Sequence, residues 1–508
     1  MTDATPEKVR RRPRRNIRLS TYLKFFAFFV ISVYVLHFGL LRMPYYWDEV
    51  GQFVPAAWDI LSAGQFIPTS ATPNIHPPAV MAWVALAWKI FTPSLLVARC
   101  AMLLIGALLL MAAFLLSIEL CGSVPGLPAF FATLALALSP LVFTQSLLVQ
   151  LDLPAAALTC LALYLFLAER HWPAVIVASL LVLTKETGVL LPLVLCGWLC
   201  FENRFRRAAS YLIPVAVLGV WLFYLHHRTG SWFGNSEFGR YNLLWTLRLS
   251  HIGFSLLRRF YFLFIGNFHW IASLGILAGI SAGLFRRRRW AIAATFALLH
   301  ILMVSVLGGA VLERYMLPVL PIFYAAALVG FSAYGVNRRW LSYAAMVAGL
   351  VAGLFINPLF WPFPYENNLA IETFTRLQSR AAQTLETRYP GARVATIWPL
   401  SAQLSNPRLG YVGTPFQVTE LPSFTAASIT GVDPKSYDIL VRFSRDWDPD
   451  YNLLRNRAFR WAARQTLGFE DPVSGDELET RYKFRLAHLY QEQGQWVEIY
   501  TRPPAPSN

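Results

Sequence analysis

The chain has 508 residues, of which 56% are hydrophobic and only 14% are charged. Soluble domains carry about 25% charged residues, so this composition excludes a protein that faces water along its whole length. The net charge of +16 lies in short runs between apolar stretches rather than on a basic face with interleaved aromatic residues, which argues against nucleic acid as a partner.

Long apolar stretches predict membrane-spanning helices, because about 20 apolar residues cross a bilayer as a helix. The first stretch follows a basic tail at residues 1–20 and is too long for the apolar core of a signal peptide. The sequence predicts about eleven spans, at residues 21–42, 94–118, 126–145, 153–168, 172–184, 188–201, 209–227, 256–285, 290–309, 315–335 and 341–357. Those at 153–168 and 172–184 are short, so they need flanking residues or a thinner bilayer.

The basic loops predict the orientation, since Lys and Arg concentrate in short cytoplasmic loops. With eleven spans, the basic tail and the loops at 204–207, 286–289 and 338–339 all lie on one side. Ten or twelve spans would place some of them on the other side. We therefore predict a multi-pass protein of the inner (plasma) membrane, with a cytoplasmic N-terminus.

The apolar segment 77–91 is short for a span, and counting it as one would reverse every later loop. It carries Trp83, Trp88 and Lys89, which suit the boundary between lipid and water. The sequence therefore predicts a helix lying in the outer interface. It belongs to the first exterior loop, at residues 43–93 of a transmembrane domain that covers 21–357.

The composition becomes charged and polar after residue 357. The segment Trp361-Pro362-Phe363-Pro364 is predicted to end the last helix, because proline cannot continue one. A helix at 367–388 and strands at 393–397, 438–443 and 497–501 follow. Residues 358–508 are therefore predicted to form a small extracytoplasmic α/β domain.

Three candidate functional positions lie in or beside the first exterior loop and the fourth span. Asp48 and Glu49 can bind a cation or act as a base, or they are solvated charges at a helix start. His76 precedes two prolines that open a helix, where it binds an anion or is simply interfacial. Asp152 is either a functional acid at the membrane boundary or an N-cap before Pro154.

Two cationic candidates lie in later outer turns. Lys185, followed by Glu186, is either a phosphate contact or part of a salt-paired turn. Arg314, followed by Tyr315, begins the tenth span and either forks onto a phosphate or extends to the interface as a snorkelling side chain. The sequence contains no P-loop, dinucleotide fingerprint, HExxH or GxSxG motif.

Together these features resemble the C-type glycosyltransferases, polytopic enzymes that use polyprenyl-phosphate sugars. That superfold includes protein O-mannosyltransferases and the bacterial transferase that puts aminoarabinose on lipid A. The matching features are Asp48-Glu49 after the first span, His76-Pro77-Pro78, Asp152, the turn Leu183-Thr184-Lys185, and Arg314-Tyr315 with Pro318. They extend over residues 20–335, about two-thirds of the chain.

The resemblance implies roles for these residues. Asp48, with Glu49 and Asp152 beside it, would be catalytic, and Asp48 would be the base. The donor phosphate would contact His76, Lys185, Arg314 and Tyr315, although a lysine often stands in the family where this chain has His76. In the aminoarabinose branch an acid and a loop histidine hold a metal ion. Ile75 replaces that acid here, so the site is not carried over and His269 stays an isolated candidate.

The resemblance implies a hexosyl- or pentosyltransferase that moves a sugar from a polyprenyl-phosphate donor to a lipid, glycan or protein acceptor on the extracytoplasmic face. It implies no certain cofactor and leaves a divalent metal ion as an open alternative. A transporter or flippase is a second hypothesis, which predicts matching halves with broken helices at mid-membrane. A structural or assembly protein, whose C-terminal domain binds partners, is a third.

Reporter fusions after Asn508 test the predicted odd number of spans. Alkaline phosphatase, which needs the oxidising exterior to form its disulfides, is expected to be active there in a bacterial host. Green fluorescent protein at the same position is expected to be dark. A fluorescent fusion with inactive phosphatase would show an even number of spans.

Overall fold

The computed structural model describes residues 19–122, 127–358, 365–444, 455–467 and 469–502. All but the last two residues of the predicted basic tail lie outside these ranges, as does the segment Trp361-Pro362-Phe363-Pro364. Within the described ranges the α-helices are α1 (Leu19–His37), α2 (Val54–Ala63), α3 (Ala79–Ile90), α4 (Leu95–Cys121), α5 (Leu127–Leu138), α6 (Pro140–Gln145), α7 (Asp152–Leu167), α8 (His171–Thr184), α9 (Leu190–Phe201), α10 (Phe205–Ser210), α11 (Leu212–Thr229), α12 (Ser236–Gly239), α13 (Leu249–Phe264), α14 (His269–Ser281), α15 (Arg288–Val306), α16 (Leu320–Gly330), α17 (Val336–Gly353), α18 (Ala370–Arg388), α19 (Leu400–Ser405), α20 (Ala426–Thr430), α21 (Arg457–Leu467) and α22 (Gly475–Thr480).

Two predicted spans are broken helices. The span at 126–145 divides into α5 and α6 at Ser139, whose backbone is non-helical because Pro140 follows it. The span at 256–285 divides into α13 and α14, which meet at 49° across Gly266–Phe268. Asn267 and Phe268 have φ values of 49° and 63° there, so the prediction of one continuous helix is wrong.

Four helices of the described ranges are long and apolar enough to cross a membrane: Leu19–Leu40, Leu95–Cys121, Phe205–Thr229 and Arg288–Val306. The bent pair of α13 and α14 makes a fifth if it counts as one span. Five of the shorter apolar helices, together with α17, coincide with the remaining predicted spans. The count of eleven crossings stays a prediction.

The C-terminal region contains a five-stranded sheet with the order β2-β1-β3-β5-β4. Its strands are β1 (Arg393–Ile397), β2 (Gln417–Leu421), β3 (Ile439–Phe443), β4 (Arg485–Glu492) and β5 (Gln495–Thr501). Strand β1 pairs in parallel with β2 and β3, and β5 pairs antiparallel with β3 and β4. The predicted α/β character is confirmed, and α18 covers the sheet next to β4 and β5.

The loop at residues 43–93 and the C-terminal region share one apolar core. The Tyr411 hydroxyl donates to the carbonyl oxygen of Tyr45 at 3.0 Å. The rings of Trp398 and Trp47 meet edge to face with centroids 4.8 Å apart, and Phe374 packs in the same way on Tyr46. Because these contacts hold residues 45–47, the domain fixes the segment that carries Asp48.

Candidate active site

The guanidinium of Arg314 lies at the centre of the candidate site. It contacts carboxylates from three segments: Asp48 through Nη2, Asp152 at 3.2 Å from Nε, and Glu366 at 2.9 and 3.1 Å from Nη1. Arginine suits this position because its planar fork presents five N–H donors in fixed directions. Only 7% of the Arg314 side chain is exposed, so it is not a snorkelling arginine.

Lys185 provides a second cation beside the first. It follows α8 with an extended backbone, and its ammonium contacts Asp152 while lying 4.4 Å from the centroid of the Tyr315 ring. Asp152 thus lies between two cations. It begins α7, but Leu151 occupies the N-cap, so the alternative that Asp152 caps the helix is wrong.

Asp48 faces a cavity of about 500 Å³. It follows Trp47, which has a φ of 46°, a region that residues other than glycine adopt at some energetic cost. About 18% of the Asp48 side chain is exposed, so it is neither a solvated loop charge nor sealed from a ligand. The cavity is also lined by apolar side chains, among them Phe233, Phe238, Tyr241, Leu243 and Leu307.

Glu49 is separated from this cavity although it is adjacent to Asp48 in sequence. Its carboxylate accepts from Arg99 at 2.5 and 3.0 Å, and from the backbone N–H groups of Val149 and Tyr46. The side chains of Glu49 and Arg99 are fully buried. Asp48 directly precedes the π-helical turn Glu49–Phe53, and the two neighbouring side chains point in different directions, Asp48 to the cavity and Glu49 to Arg99. The predicted catalytic role of Glu49 is therefore corrected to a buried ion pair.

His76 lies at the cavity wall and is held by other protein groups. Its backbone N–H donates to the Asn74 side chain at 3.0 Å, and its Nδ1 lies 2.9 Å from Glu186. Burial opposes ionisation of Glu186, but His76 and Lys185 outweigh it and hold its pKa below the usual range. The ion pairs of Lys185 and Glu186 thus reach other segments, Asp152 and His76, instead of closing a local turn.

Glu366 is the main site residue that the sequence analysis missed. It lies in the turn Tyr365–Asn367, before the first helix of the C-terminal domain, and also accepts from Gln150 Nε2 at 3.2 Å. Burial raises its pKa, as do the charges of Asp48 and Asp152, against the lowering effects of Arg314 and Gln150. Its sequence signal is the one that identified Asp152: an acid beside the outer end of a predicted span.

A second missed cluster lies at the same cavity. Arg258 Nε lies 2.6 Å from Glu313, whose other oxygen accepts from Asn367 at 2.9 Å. Counting all charged lining residues gives five acids, Asp48, Asp152, Glu186, Glu313 and Glu366, against three bases, Lys185, Arg258 and Arg314, besides His76. The cavity therefore has an excess of carboxylates before any ligand enters.

Two further expectations concern His269 and a metal ion. His269 is fully buried away from the cavity, with its ring nitrogens 2.7 Å from the Tyr324 hydroxyl and the Phe262 carbonyl oxygen. In the part of the chain that the structure describes, no three His, Cys, Asp or Glu side chains form a group suited to a metal ion. His269 is thus a packing residue with both nitrogens satisfied.

Comparison with solved structures identifies the fold. ArnT from Cupriavidus metallidurans, in a structure bound to undecaprenyl phosphate, is 16% identical with a TM-score of 0.55, over 95% of this chain and 98% of that chain. The apo state of ArnT is also 16% identical, with a TM-score of 0.54 over 94% of this chain and 98% of that chain. An oligosaccharyltransferase from Archaeoglobus fulgidus is 12% identical, with a TM-score of 0.47 over 82% of this chain and 67% of that chain. The similarity to ArnT confirms the predicted resemblance to the C-type glycosyltransferase fold.

The sequence also matches a family model. The family described as "Predicted membrane protein (DUF2079)" matches residues 74–425, more than half of the chain. The chain therefore belongs to this family and is a membrane protein. The match extends from just before helix α3 into the C-terminal sheet. No curated protein matches the sequence.

Removal of Glu49 tests whether its pair with Arg99 is structural. The Glu49→Ala variant leaves a buried guanidinium without its carboxylate, and we expect a loss of about 3–5 kcal/mol in the free energy of unfolding. Denaturant titration of the detergent-purified protein measures this. The control is Glu477→Ala, which removes a surface pair with Arg481 and should cost about 0.3–0.5 kcal/mol. Equal small losses would contradict the structural role.

Proposed function

We propose that this protein is a membrane glycosyltransferase that moves a sugar from a polyprenyl-phosphate donor to an acceptor on the extracytoplasmic face. The observation that supports it is the gathering of Asp48, Asp152, Lys185 and Arg314 around one cavity, although they come from four separate segments. The C-type fold, shared with ArnT, agrees with this chemistry. A cavity of about 500 Å³ is within the usual range of about 300–1,000 Å³ for small-molecule sites.

In the proposed mechanism, Asp48 accepts the proton of an acceptor hydroxyl. The acceptor oxygen forms a bond to the anomeric carbon of the sugar while the bond from that carbon to the phosphate oxygen breaks. The electron pair leaves with the lipid phosphate, and the positive charges of Lys185 and Arg314 stabilise it. This single displacement inverts the anomeric configuration, and Asp152 holds both cations in place.

Donor binding also prepares the base in this proposal. Arg314 pairs with Asp48 in the structure, so an incoming phosphate competes with Asp48 for the guanidinium. A phosphate that takes over Nη2 leaves the Asp48 carboxylate free to accept a proton. The order of events is therefore donor first, then acceptor.

The acceptor class stays open among lipid, glycan and protein. The apolar part of the lining suits the first isoprene units of a prenyl chain. A transporter would place its charged groups along a path through the membrane. Asp48, Lys185 and Arg314 instead lie between the longer helices, at one cavity that Glu366 and Asn367 also line, which favours the transferase hypothesis.

Replacement of Asp48 by Asn tests the base. Asn keeps the shape and a hydrogen bond to Arg314 but cannot accept the proton, so we expect transfer to fall at least about 100-fold, within the range for loss of a general base. Polyprenyl-phosphate sugars are extracted from membranes of the cells that make the protein. The measurement is the rate at which the purified enzyme releases polyprenyl phosphate from them.

The matched control is Glu237→Gln, which changes an exposed acid of the short helix α12 outside the cavity lining and should retain wild-type turnover. Size-exclusion elution and the unfolding temperature establish that both variants are folded. An Asp48→Asn enzyme with wild-type turnover would eliminate Asp48 as the base.

A further inference from the structure

The cluster around Arg314 has more negative than positive charge. Three carboxylates, those of Asp48, Asp152 and Glu366, face two cations, Arg314 and Lys185. A lipid phosphate entering this cluster adds at least one further negative charge. Like charges at contact distance in a buried site disfavour ionisation of one of them, so an anionic donor binds best when one carboxyl has taken up a proton.

Glu366 is the carboxyl best placed to hold this proton. Asp48 must be ionised to act as the base in the proposed reaction. Asp152 lies between two cations, whereas Glu366 contacts one cation and a neutral amide, Gln150. Burial and the neighbouring acids also raise the pKa of Glu366.

Gln150 gives an independent indication. Its Nε2 donates to Glu366 Oε2, while its Oε1 is buried and has no hydrogen-bond partner within the described ranges. Rotating the amide by 180° exchanges the two atoms, which have nearly the same shape and are told apart only by their hydrogen-bond partners. In the rotated form Oε1 accepts the O–H of a protonated Glu366 and Nε2 takes the buried position of Oε1, so Gln150 can partner either form of the acid.

The other neighbours of Glu366 do not supply a competing charge. Helix α6, which packs against the turn Tyr365–Asn367, carries only uncharged side chains, and its Thr144 hydroxyl donates to the Glu366 carbonyl oxygen. In helix α18, which also packs there, Glu372 of the first turn pairs with Arg376. The charges that act on the carboxyl are Arg314, Asp48 and Asp152. Glu313, which accepts from the neighbouring Asn367, is paired with Arg258.

We propose that Glu366 is a positioning residue which the C-terminal domain contributes to the site, and that its protonated form orients Arg314 for an anionic lipid phosphate. This rests on the proposed function. The carbonyl oxygen of the acid accepts from Arg314 Nη1, and the hydroxyl donates to Gln150. One negative charge is thereby removed without loss of the contact that fixes the guanidinium.

The proposal predicts proton uptake on donor binding. Affinity falls as the pH rises through the pKa of Glu366, because the ionised form must first gain a proton, with a limiting slope of tenfold per pH unit. Glu366→Gln mimics the protonated acid, so its affinity for the lipid phosphate should lack the pH dependence that Glu366 causes. Glu366→Ala leaves Arg314 without this partner and should bind more weakly than Glu366→Gln at every pH.

The experiment is titration calorimetry of the detergent-purified full chain with undecaprenyl phosphate, at several pH values and in buffers of different ionisation enthalpy. The lipid phosphate has its own ionisation, which is common to all variants, so the difference between wild type and Glu366→Gln isolates Glu366. Glu372→Gln is the control and should keep wild-type proton uptake. Unfolding temperatures establish that each variant is folded.

The outcomes separate the two proposals. Binding with equal proton uptake in wild type and Glu366→Gln overturns the role of Glu366 and leaves the proposed function standing. A Glu366→Gln protein that binds as poorly as Glu366→Ala also overturns the role of Glu366, because binding would then require the ionised carboxylate. A wild-type protein that binds no lipid phosphate at any pH overturns the proposed function, and the role of Glu366 fails with it.

Discussion

The arrangement of the site depends on one guanidinium. Arg314 contacts Asp48, Asp152 and Glu366, which come from the segment between α1 and α2, the start of α7 and the turn before α18. A buried arginine is unfavourable without partners, and several buried carboxylates are unfavourable without a cation. Each buried charge is therefore stabilised by its partners, and these ion pairs fix the relative positions of segments that are far apart in the sequence.

The C-terminal domain is part of this geometry rather than an appended module. Trp398 and Tyr411 hold the segment before Asp48, and Glu366 reaches Arg314 from the turn that precedes the domain. The apolar core continues without interruption from the first exterior loop into the sheet. A sheet that only bound an external partner would not need these contacts, so the domain completes the wall of the cavity.

Much of the site could be predicted from sequence because Asp48, Asp152, Lys185 and Arg314 each lie at the outer end of a predicted span. Since successive loops alternate between the two sides of the membrane, the order of the predicted spans alone places these residues on one face. Sequence could not separate Asp48 from Glu49, because the difference is made by Arg99, a partner 50 residues away. Glu366 is not predicted, because it lies in a segment whose charged composition indicates a soluble domain. The break at Asn267 is not predicted, because apolar composition does not report a local change in backbone conformation, whereas the break at Ser139 has a sequence signal in Pro140.

Native mass spectrometry of the detergent-purified protein shows whether Arg314 and Lys185 hold a lipid-linked phosphate. We expect wild-type protein to carry a mass corresponding to a polyprenyl phosphate, with or without a sugar. We expect Lys185→Gln, which removes one cation but keeps a hydrogen bond to Asp152, to lose most of it. A wild-type protein that neither carries nor retains added prenyl phosphate, or a Lys185→Gln protein that retains it equally, would mean that these cations do not hold the phosphate.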